Sequence, residues 1–331
     1  MINQVWHTGE RDFHAIQRVC VFFAQIAVAA FSMLTIAGTS AQSISIADVT
    51  SVWERTVIEN VTVEFAVKTH SSIGPIVFPV ELGVGGIKVA PLESFQFNRI
   101  ADLGMRLDQL SSPVRKSNLI DGYGIALNGP SNAMDGLNSA VINLEGSSDI
   151  QRDWTTDCML YWIEPLSTKT CWLVACKPNQ TIQTSLDMDL GDVAVIQLGD
   201  DLTVALAKKF EWRPVLIQKG GATSKRVNVT ELRYSRSQNG ELLLDGFTKR
   251  LISGKQVAHL SAEVTSRKFG TCSRSAIELQ IPNYTLVTNL TGPKEHQHIV
   301  RKDGSIRPYD HSKEPFAKNW SEIINSEPPG D

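Results

Sequence analysis

The sequence predicts a mainly β protein: an antiparallel sheet of about ten strands with few helices, one of them short and near the N-terminus. Three observations predict it. Apolar residues alternate with polar ones in segment after segment, as in Val61, Val63, Phe65 and Val67 against Thr62, Glu64, Ala66 and Lys68. Turn pairs such as Asp121-Gly122 and Asn239-Gly240 punctuate those segments. Helical periodicity is confined to a few short stretches.

The chain of 331 residues opens on an export-like segment. Arg11 and Arg18 precede an uncharged run from Val19 to Ala37, and Gly38-Thr39-Ser40-Ala41 supplies a small-residue exit. That layout is the one of a secretory signal peptide, here residues 1–41, with cleavage after Ala41. The run is also long enough to stay in a bilayer as an uncleaved anchor, which would be the protein's membrane contact. Either way the expected location is extracytoplasmic, in the periplasm or cell envelope.

The expected elements follow in order. Ser51 and Glu54 have capping-box spacing and predict a helix over 48–59. A strand follows at 61–67, and the Gly- and Pro-rich stretch 71–92 reads as turns or short edge strands. Further strands are expected around Phe95 and Phe97, at Met105-Arg106-Leu107-Asp108, and at Tyr123, Ile125 and Leu127. Residues 128–150 read as a long polar loop with a helical turn. The apolar runs 158–164 and 171–176 read as a hairpin, and Asp200 or Asp201 as the cap of a helix over 200–211. The final third reads as a meander with a bulge near Thr230 and a closing strand through Ile277, Leu279 and Ile281. The β-rich domain is thus 42–301. Residues 302–331 form a polar, partly disordered tail with a helix near 317–325.

Charge and motifs exclude several functions. The net charge is −3 and lysines and arginines are scattered, which argues against nucleic acid as a partner. Gly83-Val84-Gly85-Gly86 lacks the third glycine of a dinucleotide fingerprint, and Gly220-Gly221-Ala222-Thr223-Ser224-Lys225 fails phosphate-loop spacing. No cofactor is expected. His296 and His298 would share a strand face but have no acidic or cysteine partner at metal-ligand spacing, so no metal site and no catalytic residue is assigned. A hydrolase would need His259, His296 or His298 to converge with carboxylates. Cys158 and Cys176 fall nearly opposite each other in the expected hairpin and are the disulfide candidates, with buried free thiols as the alternative.

Met105-Arg106-Leu107-Asp108 followed by Ile120-Asp121-Gly122-Tyr123-Gly124-Ile125 resembles bacterial exported proteins of the lipoprotein-carrier (LolA/LolB-like) superfamily. The closing segment Leu279 to Thr288, with Lys302-Asp303-Gly304 after it, is similar to that of uncharacterised secreted relatives. The resemblance spans residues 48–290 and implies an unclosed half-barrel whose concave apolar face, covered by helices, accepts acyl chains. The stretch 128–180 and its cysteines have no counterpart in it. Val63, Phe65, Met105, Leu107, Tyr123 and Ile125 then become candidate ligand-lining residues. The expected function is binding of a lipid, lipoprotein or other apolar ligand without catalysis. The alternative is an envelope scaffold or interaction module with an envelope protein as partner and no small-molecule ligand.

Overall fold

A computed structural model describes residues 43–71, 88–89, 92–111, 115–144, 150, 153–166, 176–177, 180–221, 224–253, 256–314 and 320–326, all within the unit Ser43–Asp331. The export segment 1–41, Cys171, the glycine cluster at 83–86 and most of 71–92 lie outside the described residues. The first part of the fold comprises β1 (Ser43–Ser45), α1 (Ile46–Arg55), β2 (Asn60–Ser71), β3 (Lys88–Val89), β4 (Glu93–Ile100), β5 (Gly104–Gln109), β6 (Arg115–Ile120), β7 (Tyr123–Ser131) and β8 (Leu137–Leu144). After α2 (Trp154–Ile163) come β9 (Thr181–Asp187), β10 (Gly191–Leu198), β11 (Leu202–Ala207), β12 (Arg213–Lys219), β13 (Arg226–Arg236), β14 (Leu242–Ser253) and β15 (Gln256–Phe269). The short helix α3 (Arg274–Ile277), β16 (Thr285–Asn289), β17 (His296–Val300), β18 (Ile306–Tyr309) and α4 (Trp320–Asn325) complete it.

The pairings form one line: β1-β9-β10-β11-β12-β13-β14-β15-β2-β4-β5-β6-β7-β8-β16-β17-β18, with β3 on the far end of β2. Every contact is antiparallel except β8 with β16, which is parallel. Among the described residues nothing joins β18 back to β1, so the sheet is open and curved, with 17 strands in that line rather than about ten. The excess has a physical origin. Polar edges and buried runs without alternation hide β8, β9 and β11 from a period-two search.

The turns hold where chemistry demanded them. Ile120 pairs with Tyr123 across Asp121 (φ 51°) and Gly122 (φ 80°), the positive-φ pair of a two-residue hairpin. Gly240 (φ 84°) turns β13 into β14. The expected bulge at Thr230 falls instead opposite Arg233 and Tyr234, where Asp245 is the extra residue of β14.

Several segments differ from expectation. The first helix is capped by Ser45 with Asp48, not by Ser51 with Glu54, because Ile46, Val49 and Trp53 form its buried face. Residues 158–164 are no hairpin strand. Asp153 accepts from the Thr155 amide at 2.7 Å and starts α2, a helix apolar on all sides, whose period a buried strand would mimic. The hairpin that placed Cys158 opposite Cys176 is therefore absent, and Cys158 is a free, buried thiol, so the Cys158–Cys176 bridge is not formed. The stretch 200–211 is β11 plus one 3-10 turn, since Val204 and Leu206 alternate into the core. The 128–150 loop contains the end of β7 and all of β8. Ile277 to Ile281 is no strand: the Ile277 and Glu278 carbonyls accept from Asn118 (3.1 Å) and Arg106 (2.6 Å) side chains instead of a ladder. The tail carries the expected helix as α4, but it also holds β18 and packs, so it is not a polar appendage.

Apolar residues gather in two clusters. The large one unites the concave face of β2, β4 to β6 and β9 to β15 with α1 and α2. The smaller one joins Leu137, Leu286, Ile299 and Tyr309 to Trp320, Ile323 and Ile324 of α4.

Candidate functional site

The concave face is built by register. Val63 lies opposite Phe97, which lies opposite Leu107, and Phe65 lies opposite Phe95. Because side chains alternate, these residues, with Met105 and Leu119, all point to the interior. Val63, Phe65, Met105 and Leu107, four of the predicted lining residues, are therefore together and buried.

Tyr123 and Ile125 are not with them. Met105 pairs with Leu119, and Leu119 pairs with Gly124, so Gly124 and Ala126 occupy the concave face of β7. Tyr123 and Ile125 fall on the opposite face, where Tyr123 is 53% exposed. That face of β5 to β7 is crossed by residues 271–284, and a cleft of about 380 Å³ remains beside the crossing, bounded by Arg106, Lys116, Leu127, Leu279 and Pro282.

An aromatic cluster occupies the centre of the concave face. Phe65 stacks on Phe95 with centroids 5.2 Å apart and tilts against Phe247 at 5.9 Å. Trp154, at the start of α2, meets Phe247 edge-on at 5.2 Å, and the Lys249 ammonium sits 5.6 Å from the Trp154 ring. Each such side chain removed from water contributes about 1.5–3 kcal/mol. At the rim, Glu93 is partly buried, and desolvation raises its pKa against the opposing pull of Arg115.

At its opposite end, α2 is tied down by polar contacts. Trp162 Nε1 donates to Leu242 O at 2.9 Å, Glu164 pairs with Arg99, and the Ile58 amide donates to Ile163 O at 3.0 Å. Arg213, at the start of β12, donates from Nε to Trp162 O at 3.0 Å and from Nη2 to Thr56 O at 2.8 Å. It thereby holds the C-terminal carbonyls of α2 and α1 together, a favourable place for a cation. The connection before it carries consecutive left-handed residues, Glu211 (φ 55°) and Trp212 (φ 57°), braced where Trp53 Nε1 donates to Glu211 O at 3.2 Å.

Phe247, Trp154, Trp162 and Arg213 were not foreseen as site residues. Phe247 stood in a visible apolar run, but Arg213 left no signal, since a lone arginine before Pro214 has no pattern. Among the described residues no group of histidine, cysteine, aspartate and glutamate is placed to hold a metal. His259 lies on β15 and His296 and His298 on β17, well separated in the strand order.

No protein family matches this sequence, and no curated protein sequence is similar to it. Solved structures with a distant likeness to this chain include three. A putative outer membrane lipoprotein-sorting protein domain from Vibrio parahaemolyticus is 7% identical, with 71% of this chain and 96% of that one covered and a TM-score of 0.38. A DUF1329 family protein from Desulfovibrio piger is 10% identical over 70% of this chain and 98% of its own, at a TM-score of 0.36. A LolA superfamily protein from Nitrosomonas europaea is 8% identical over 71% and 98%, at a TM-score of 0.35.

Proposed function

We propose that this is an extracytoplasmic, non-enzymatic protein that holds a lipid, the acyl part of a lipoprotein or another apolar ligand against the concave face of its sheet, beneath a displaceable α2. The observation behind this reading is the asymmetry of that cover. The apolar helix α2 packs on β12 and β14, its Trp154 meets Phe247, which touches Phe65, and polar ties to Leu242, Arg99, Ile58 and Arg213 hold its last turn. Toward its other end Thr156 is fully buried, yet its hydroxyl has no hydrogen-bond partner. An unsatisfied buried hydroxyl costs about 1–3 kcal/mol, which favours opening at that end. The interior is filled by α2 when closed, so a ligand enters only as α2 swings away from the Trp154 end.

Native mass spectrometry and lipid extraction of the purified protein test this. The expected result is a co-purifying lipid, or uptake of added dodecanoate. A protein that carries none and takes up none overturns the reading.

Export by residues 1–41 belongs to the same proposal. N-terminal sequencing of the exported protein is expected to begin at Gln42. An intact N-terminus in the membrane fraction would instead mean that the segment is kept as a tether.

One observation favours the second reading, an interaction module. At the β9–β10 turn Leu186 is 82% exposed and Met188 fully so, and Asp187 fixes the turn by accepting from the Asp189 and Leu190 amides, both at 2.9 Å. A rigid exposed apolar tip suits contact with another protein. Partner binding by lipid-free protein, lost in the Leu186→Ser/Met188→Ser variant, would favour this reading.

A further inference from the structure

Arg213 is 1% exposed and opens β12, just before the bulge at Val215. Its Nε and Nη2 donate to the Trp162 and Thr56 carbonyls, and its buried Nη1 has no hydrogen-bond partner. Tyr234 and Glu211 are the groups whose charge acts on it, but the Tyr234 hydroxyl donates to Pro214 O at 3.1 Å and the Glu211 carboxylate pairs with Arg236 at 3.2 Å. The guanidinium is therefore met by neutral carbonyl dipoles and by no carboxylate of its own. Burial draws its pKa down to about 10, so it stays charged at neutral pH. A buried cation without a bound anion is costly, and a group that supplies the anion recovers much of that cost. An apolar face with one such cation at its end has the polarity of an amphiphile with a single anionic head.

We propose that Arg213 is a headgroup site, which makes the concave face select acyl chains that end in a carboxylate over neutral chains of equal length, with Nη1 as the donor. This rests on the lipid-binding reading above. The head lies at the α1–α2 carbonyl junction beside Trp162 and Trp53, and the chain runs from it along the aromatic face. A free carboxylate without a chain gains no apolar burial and is held poorly.

The test titrates the full chain with dodecanoate, 1-dodecanol and acetate, read by tryptophan fluorescence and by calorimetry. Dodecanoate is expected to bind at least about tenfold more tightly than dodecanol, the range of a hydrogen bond to a charged group over a neutral one. Acetate is expected not to bind. Arg213→Gln is expected to abolish the preference, and Arg213→Lys, which keeps the charge, is expected to retain it. Equal affinity of the wild-type protein for dodecanoate and dodecanol, or a preference that persists in Arg213→Gln, overturns the headgroup assignment alone. Binding of neither ligand overturns the lipid-binding reading and this assignment with it. The wild-type ratio decides even if Arg213→Gln fails to fold.

Discussion

Phe247 joins three parts of the molecule: it lies on β14, touches Phe65 of β2 and carries the edge contact of Trp154 from α2. Phe247→Ala removes a fully buried ring among fixed neighbours and is expected to cost about 3–5 kcal/mol, measured by urea denaturation. A second residue sets a pH limit. Burial lowers the pKa of His298, which sits between Val287 of β16 and Pro308 of β18. The folded state thus binds a proton less readily than the unfolded chain. The contribution of His298 to stability is complete above the unfolded pKa of about 6.5 and is lost as pH falls below it. Thermal melts from pH 7.5 to 5 are expected to show a falling Tm, with a shallower fall in His298→Gln. Val63, Phe65, Met105 and Leu107 were readable because their neighbours are polar. Tyr123 and Ile125 were not, because Gly124 and Ala126 between them are small enough to fill the concave face and carry no contrast.

At the scale of elements, the C-terminal layer shows how a segment that reads as polar can be folded. Arg307 is 1% exposed, and its two Nη atoms bond the Glu314 carboxylate at 2.8 and 2.6 Å, while Nε donates to Ser326 O at 2.9 Å. Arg301 adds bonds to Ile324 O and Ser326 O that hold α4 on β17 and β18. Charged residues here are internal, so composition misleads. Glu314→Gln leaves the Arg307 charge buried without its partner and is expected to cost about 3–5 kcal/mol. Hydrogen exchange should show β18 and α4 losing protection while β2 and β4 keep theirs. The hairpin at Asp121-Gly122 and the strands with clean alternation were legible. The covering helix α2 was not, because an apolar run without period fits a buried strand as well as a buried helix, and only its Asp153 cap decides.

At the scale of the whole molecule, the order of strands departs from the order of the chain at three seams, β1 with β9, β8 with β16 and β15 with β2. β2 pairs with β15, so Val61 lies opposite Phe269 and Val67 opposite Ala262. Nearly the entire domain must be made before that seam closes. Folding is therefore expected to be slow for its size, in the range of about milliseconds to seconds or longer, with aggregation rising with concentration, as stopped-flow refolding would register. Local alternation reveals strands but holds no information about which distant pairs meet, and the β2–β15 seam and the concave face it completes were invisible for that reason.

The parallel union of β8 with β16 lies on the far side of a single crossing, residues 271–284, that leaves the first sheet for the second cluster. A cut within that crossing would part the chain into a large piece with a bare edge along Asn138–Ile142 and a small piece carrying Thr285–Asn289 to match it. Such a protein is divisible: the two pieces, made separately, are expected to reassociate along that edge and through the Leu137 cluster, as size-exclusion chromatography of the mixture would show. Fused to the two parts of a reporter, they would reveal whether both had reached the same compartment.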